Sequence, residues 1–307
     1  MKFKFIDRHR SDYPVVCMCR VLGVSSSGYY AWRQRGPSHR AQGDQVLLRR
    51  IQHIHQESRG IYGSPKIHER LRQAGIGCSR KRVIRLMKLA NISSKRRRSH
   101  KRTTRRNGAH PVAPNRLKQQ FEATKPNQIW LTDITYIRTE QGWLYLAVVL
   151  DLFSRRIVGW SMDARMTEAL THKALTMAIA SRQEMPDNLL HHSDRGSQYT
   201  SADYQALLAQ NNMLASMSGV GNCYDNAPME SFFSLLKTEL VHHERYSSRR
   251  DARTSIFDYI EVFYNRKRIH GAIGYMTPIS FEKHWWQNPA LKEVDKPSLS
   301  SMALAVT

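Results

Sequence analysis

Asp133, Asp194 and Glu230 are the residues whose type and placement could do chemistry in this chain. Asp133 stands inside Ile129-Trp-Leu-Thr-Asp-Ile-Thr-Tyr-Ile137, a run apolar on both parities, as expected of a central strand covered on both faces. A carboxylate there is costly to desolvate unless a cation or several donors meet it. The nearest cations in sequence are Lys125 and Arg138. Asp194 closes a second short strand pattern, Leu189–Ser193, and opens a polar turn with Gly196. Glu230 follows a glycine-bearing loop, with Asn226 placed as an N-cap and Pro228 in the first helical turn. Hard oxygen donors from two strands and a helix suit Mg²⁺, or Mn²⁺. Two such ions about 3.5–4 Å apart can hold the attacking and leaving oxygens of an in-line phosphoryl displacement. A chain with 25 acids contains many Asp, Asp, Glu trios, and the strand, strand, helix placement is what singles this one out.

The elements that must position the trio can be read around it. Strands are expected near 127–137, 143–150 and 155–162, then a helix over 167–182 and a strand at 189–193. A helix at 201–211, a short strand at 213–217 and the Glu230 helix follow. Hairpin-length connections followed by alternating strands and helices make a mixed sheet in an α/β fold. Lys237 lies two helical turns beyond Glu230 on the same face, where it would contact a DNA end or pair with an acid. Asp151 ends the second strand, as a turn residue before Arg155 or as a fourth acid of the site. His191 and His192, adjacent in a strand, point to opposite faces and cannot both line one site. Trp285-Trp286 is read as packing against the last helix.

Three stretches then carry a resemblance: Trp130-Leu-Thr-Asp-Ile-Thr-Tyr136, His192-Ser-Asp-Arg-Gly-Ser-Gln-Tyr-Thr-Ser201 and Gly221-Asn-Cys-Tyr-Asp-Asn-Ala-Pro-Met-Glu-Ser-Phe-Phe233. They resemble the DDE catalytic core of bacterial insertion-sequence transposases, of the OrfB type in the insertion-sequence-three family. The 35 residues between Asp194 and Glu230 match the interval of that branch and of the retroviral integrases. Tyr264-Asn-Arg-Lys-Arg-Ile-His-Gly-Ala-Ile-Gly-Tyr-Met-Thr-Pro278 is similar to the family's closing motif, and Tyr62-Gly-Ser-Pro-Lys-Ile67 through Arg85-Leu-Met87 to its helix-turn-helix segment. The chain departs from the pattern at Gly219-Val220, where many relatives carry a basic pair. The resemblance implies a ribonuclease H-like mixed-sheet catalytic domain preceded by an all-α helix-turn-helix region. It also implies Asp133, Asp194 and Glu230 as catalytic residues and metal ligands, a homo-oligomer on DNA, an upstream-frame (OrfA-type) partner or fusion, and a circular intermediate.

Charge distribution argues independently for nucleic acid. Residues 1–120 hold 29 Lys and Arg against 5 Asp and Glu, and residues 121–307 hold 19 against 20, so the whole net charge of +23 lies in the first part. A segment at 14–33 reads as two short helices around Gly23. Asp44 is placed to cap a third helix with Val46, Leu47, Ile51 and Ile54 inward. Ser64–Gln73 and a helix capped by Ser79 then form a pair. Arg80, Lys81, Arg82, Arg85 and Lys88 crowd the outer face of the second helix, as in a recognition helix for a major groove. Eight Lys or Arg in residues 95–106, Lys95, Arg96, Arg97 and Arg98 first, make a tether that would clamp phosphates.

The expected organisation is a helical DNA-binding region at 1–92, a basic linker at 93–120, a catalytic core at 121–285 and a tail at 286–307. No apolar run of about 18 residues suggests a membrane span. The charged start is no signal peptide and the expected compartment is the cytosol. Cys17, Cys19, Cys78 and Cys223 show no zinc or redox spacing. The reading is a transposase subunit that binds terminal inverted repeats of double-stranded DNA and cuts and joins strands, including target DNA. A DNA-binding repressor with an inactive site and a plain nuclease are the alternatives.

Overall fold

The computed structural model describes residues 1–95, 113–182, 186–219 and 226–288. The chain divides into two compact units: 1–57 with 63–93, and 58–62 with 94–307.

The first unit is all helical: α1 (Lys2–Arg8), α2 (Val15–Val21), α3 (Ser26–Gln34), α4 (His39–Glu57), α5 (Ser64–Gln73) and α6 (Arg80–Leu89). Ile6, Met18, Cys19 and Tyr29 bury one small core among α1, α2 and α3. Helix α1 was not expected from the sequence; its Ile6 is the only buried residue in seven, too sparse a stripe to register. Helices α5 and α6 follow the expected pattern, with Ile67, Leu71, Val83, Leu86 and Met87 buried. The turn between them places Gly75 at φ +73°, and Ser79 caps α6 by accepting from the Arg82 N–H.

One expectation is corrected in α4. Asp44 does not cap this helix, which begins five residues earlier, with Ser38 Oγ accepting from the Ala41 N–H. Asp44 lies within the helix and accepts from Arg82 Nε at 2.7 Å and from Arg85 Nη2. Val46, expected inward, is 60% exposed, because at 3.6 residues per turn it lies well to one side of the stripe centred on Leu47 and Ile51.

The second unit is built on a five-stranded sheet: β1 (Ile129–Thr139), β2 (Gly142–Asp151), β3 (Ile157–Asp163), β4 (Leu190–Ser193) and β5 (Leu214–Met217). The order is β3-β2-β1-β4-β5, with β1, β2 and β3 antiparallel and β4 and β5 parallel to β1. This mixed sheet is the ribonuclease H-like architecture implied by the resemblance, and β1 is its central strand. Helix α7 (Glu168–Ala180) lies against β2 and β3. Gly159 makes the close approach possible, since a Cβ there would stand 2.2 Å from the Ala174 carbonyl oxygen. Trp130, Val149, Val158, Leu175, Tyr199 and Tyr204 are among the residues of the core between sheet and helices.

Helices α8 (Ser197–Thr200) and α9 (Ala202–Gln210) connect β4 to β5, and α10 (Ala227–Glu239) carries Glu230. Helix α11 (Arg249–Phe257) opens with a Ser248–Asp251 capping box and runs into a π-helical stretch, Asp258–Tyr264, before α12 (Pro278–Gln287). No helix among the described residues is long and apolar enough to cross a membrane.

Candidate active site

Parallel pairing sets the first two carboxylates. Leu131 of β1 stands opposite His192 of β4; Asp133 lies two residues further along β1, and Asp194 is the first residue past the end of β4. Leu131 and Asp133 share a parity, so alternation puts Asp133 on the Leu131 face of the sheet, while Asp194 follows directly on the last residue of β4. Asp133 Oδ1 accepts from the Ile134 N–H at 2.7 Å, and Asp194 Oδ1 accepts from the Gly196 N–H at 2.9 Å. Gly196 has no room for a side chain: a Cβ would meet that same Asp194 oxygen at 2.9 Å.

Tyr199 meets β1 at the residue before Asp133. Its hydroxyl lies 3.3 Å from Thr132 Oγ1, inside the core. Burial first, then Tyr204 and the negative charges of Asp133 and Asp194, hold this phenol protonated well above its ordinary range.

Helix α10 brings in the third acid. Asn226 occupies the N-cap position as expected, yet its side chain does not cap the helix. Its amide nitrogen instead donates to the Thr132 carbonyl at 3.1 Å, which fixes the start of α10 to the strand residue before Asp133. Pro228 sits in the first turn, and Met229, Phe232, Phe233 and Leu236 bury the inner face. Glu230 is half-buried and lines an open cleft of about 450 Å³ with Ile61, Lys95, Ser234, Thr238 and Glu239. Among the described residues no three His, Cys, Asp or Glu side chains already form a ligand set for a metal. The structure thus sets Asp133 and Asp194 just beyond the last β1–β4 pairs and delivers Glu230 on a helix tied to β1, without closing the three around one point. The donors are all carboxylate oxygens, the chemistry that fits Mg²⁺ or Mn²⁺.

Lys237 supplies the cation that sequence distance hid. Its ammonium lies 5.2 Å from the centre of the Tyr136 ring. Burial lowers its pKa and the charge of Asp133 opposes that shift, so helix α10 presents a lysine in the field of the first carboxylate.

The far end of α10 is held by a polar cluster that sequence reasoning did not assign. Arg268 makes a two-point pair with Glu239, Nη2 to Oε1 at 2.6 Å and Nε to Oε2 at 2.9 Å, and the Tyr259 hydroxyl donates to Glu239 at 2.7 Å. Burial works against the charge of Arg268, but the hydrogen bonds and charge of Glu239 raise its pKa above the ordinary value. Lys95 Nζ donates to the Glu239 carbonyl at 3.2 Å, and the Tyr62 hydroxyl donates to the Lys267 carbonyl while accepting from the Ile269 N–H at 2.8 Å. Asn265 pins the edge strand β3 by accepting from the Ile157 N–H and donating to its carbonyl, each at 3.0 Å. The signal was present, since Asn265, Arg268 and His270 lie in the closing motif; its meaning is scaffolding of α10 and the sheet.

The remaining candidates resolve by placement. Asp151 is wholly buried and accepts from the backbone N–H groups of Asn127 and Ser154 and from the Ser154 hydroxyl, so it organises a turn. Its partner across the sheet is Trp130, three residues before Asp133, which separates it from the carboxylate pair. His191 meets the Tyr204 hydroxyl at 3.1 Å, whereas His192 lies between Ser216 and Ser218 at 2.8 and 3.1 Å; the two occupy opposite faces as expected. Trp285 and Trp286, expected to pack against the last helix, lie within it; Trp285 meets Phe153 edge to face with ring centres 6.2 Å apart, and Trp286 is exposed. In α6, Arg82 and Arg85 are engaged by Asp44, while Arg80, Lys81 and Lys88 are exposed. Arg96, Arg97 and Arg98 lie outside the described residues, as does Cys223. Cys17, Cys19 and Cys78 are free thiols.

The chain matches known families along most of its length. Integrase core domain families match residues 123–223 and 230–285, and an HTH-like domain family matches residues 42–100. It is 46% identical over 273 residues, 89% of this chain and 100% of the relative, to the insertion element IS600 uncharacterized 31 kDa protein of Shigella sonnei. To transposase InsF for insertion sequence IS3A of Escherichia coli (strain K12) it is 44% identical over 288 residues, 92% of this chain and 98% of the relative. Among solved structures, the HTLV-2 integrase catalytic core domain in complex with magnesium matches at a TM-score of 0.40 and 17% identity, over 52% of this chain and 97% of that one.

Proposed function

This chain belongs to the IS3 family of insertion-sequence transposases, and on that premise we propose that its helical unit grips the element's terminal inverted repeats while the ribonuclease H-like unit cuts and joins DNA strands. The observation that carries the reading is the parallel pairing of β1 with β4 up to Leu131 and His192, two residues short of Asp133 and Asp194, with α10 tied by Asn226 to the residue before Asp133.

Divalent ions held by Asp133, Asp194 and Glu230, two in the active complex, would supply Lewis-acid polarisation of a phosphodiester and a more acidic water. The chain's own residues do the rest. The β1 and β4 backbones fix two carboxylates against a DNA phosphate, and the Asn226 tie sets the depth at which Glu230 enters. Lys237, near Asp133, contacts the phosphate or base of the DNA end. Hydrolysis frees a 3′ hydroxyl, and that hydroxyl attacks a second phosphodiester in the same in-line geometry, so no covalent enzyme intermediate is needed.

In the first unit, Arg80, Lys81 and Lys88 on the exposed side of α6 face the major groove, with Arg82 and Arg85 oriented by Asp44. Lys95 and the basic run Arg96, Arg97 and Arg98 add sequence-independent phosphate grip. The working form is a homo-oligomer on two DNA ends, and an upstream-frame OrfA-type protein is its partner or fusion. The cell interior, at the nucleoid, is where such a substrate lies.

The test is an incubation of purified protein with terminal-repeat DNA and Mg²⁺ or Mn²⁺, with and without the upstream-frame protein. Nicks followed by joined products support the reading. Nicks alone would reduce it to a nuclease, and binding alone to a repressor.

A further inference from the structure

Tyr136 and Trp143 form an exposed aromatic pair further along the β1–β2 hairpin from Asp133 that the catalytic reading leaves unused. Tyr136 is 55% exposed on β1 although its neighbours Thr135 and Ile137 are buried, and Trp143 on β2 is 44% exposed. Their ring centres are 5.0 Å apart with the planes at 79°, so the edge of one ring meets the face of the other. Lys237 lies over the Tyr136 ring at 5.2 Å. Arg249 borders the pair, its Nε donating to the Trp143 carbonyl at 3.0 Å, and Arg138 is the cross-strand partner of Trp143.

Position gives the pair its meaning. Tyr136 is three residues along β1 from Asp133, about 10 Å of extended chain, and of the opposite parity, so the two side chains leave opposite faces of the strand; Lys237, over the Tyr136 ring, is the group they share. Among the described strands β1 is unpaired on its β4 side beyond Leu131. An aromatic ring about 10 Å along the strand from a phosphate-cutting centre, flanked by three cations, fits an unstacked nucleobase with its backbone phosphate. The ring offers a π face and the cations meet the negative charge. A protein or lipid occupant fits less well, since the apolar area is two rings and the surroundings are basic.

We propose that Tyr136, braced at its edge by Trp143 and covered by Lys237, is a stacking seat for a nucleobase flanking the phosphodiester held at Asp133. This rests on the functional reading above. The seat holds a base turned out of the duplex, so the strand end enters frayed and its sugar-phosphate track runs from Tyr136 toward the carboxylates. Stacking tolerates any base, so the seat sets where the strand is cut more than which sequence is chosen.

The experiment uses the full chain and terminal-repeat duplexes carrying 5-iodouracil at each of the last nucleotides of the cleaved strand. Ultraviolet irradiation of the complex is followed by mapping of the crosslinked peptide. The expected result is a crosslink to Tyr136 or Trp143 from one or two positions flanking the cut. Tyr136→Ala loses it and weakens end binding about tenfold, while Tyr136→Phe keeps both and neither variant shifts the thermal midpoint. Wild-type protein that binds and nicks the DNA without a crosslink to either ring would overturn the seat and leave the functional reading standing. A crosslink and affinity unchanged in Tyr136→Ala, with a lowered midpoint, would reduce the pair to a hairpin packing contact. Failure to bind terminal DNA at all would remove the functional reading and the seat together.

Discussion

The side-chain amide of Asn226 donates to the backbone carbonyl of Thr132 at 3.1 Å, so the first turn of α10 is fastened to the strand one residue before Asp133. Both groups are buried, and the tie joins the carriers of the first and third carboxylates. Asn226→Ala leaves the Thr132 carbonyl without this donor. The expected outcome is a stability loss of about 1–3 kcal/mol in urea unfolding. Single-turnover nicking should fall by at least about tenfold while DNA affinity is held. Unchanged nicking in the folded variant would make the tie structural only.

Arg268 and Glu239 form a buried two-point ion pair at the other end of the same helix. Removing one partner strands a charge, so Arg268→Met is expected to cost about 3–5 kcal/mol in denaturant unfolding. The double variant Arg268→Met with Glu239→Gln should recover a substantial part of that loss. Additive losses in the two single variants would contradict direct pairing.

His191 is wholly buried against Tyr204, and burial, with the neighbouring His192, lowers its pKa to about 3. In the unfolded chain the imidazole takes up a proton near pH 6.5. The unfolded state therefore binds more protons between these two values, and stability rises with pH across that window. Acidification from pH 7 to pH 5 should remove about 2 kcal/mol through this one group. Urea titrations at the two pH values should show a shallower dependence in His191→Gln; an identical dependence would exclude His191 as the source.

The sequence made the sheet and the acidic residues legible because their signals are local. The both-face apolarity of residues 129–137 announced a central strand, and Pro228 announced the start of α10. What was hidden depends on contacts far apart in the chain. Asp44 looked like a cap because a carboxylate before an apolar stripe often is one, yet its partners Arg82 and Arg85 lie about forty residues away. Asp133 looked isolated from cations because Lys237 is remote in sequence. The Glu239–Arg268 pair carries no periodic signature at all, and Tyr62 reads as part of a helix-turn-helix motif although its hydroxyl is bound by Lys267 and Ile269.

In the helical unit, Arg82 and Arg85 pair with Asp44, and Arg80, Lys81 and Lys88 are the exposed cations of α6 outside that pairing. Neutralising these three should weaken binding to terminal-repeat DNA and lower the slope of log affinity against log salt by about one for each phosphate no longer neutralised. Nicking at saturating protein should persist. Binding undiminished at physiological salt would rule out α6 as the groove-reading helix.

In the proposed reaction Asp133, Asp194 and Glu230 work as one metal-holding site on a DNA phosphate. The decisive assay is Mg²⁺-dependent nicking of terminal-repeat DNA by Asp133→Asn, Asp194→Asn and Glu230→Gln, with DNA affinity measured in parallel. Each substitution is expected to lower nicking by about a thousandfold or more with affinity within a few-fold of the parent. Near-parental nicking in any of the three, or loss of DNA binding in place of nicking, would contradict a shared site.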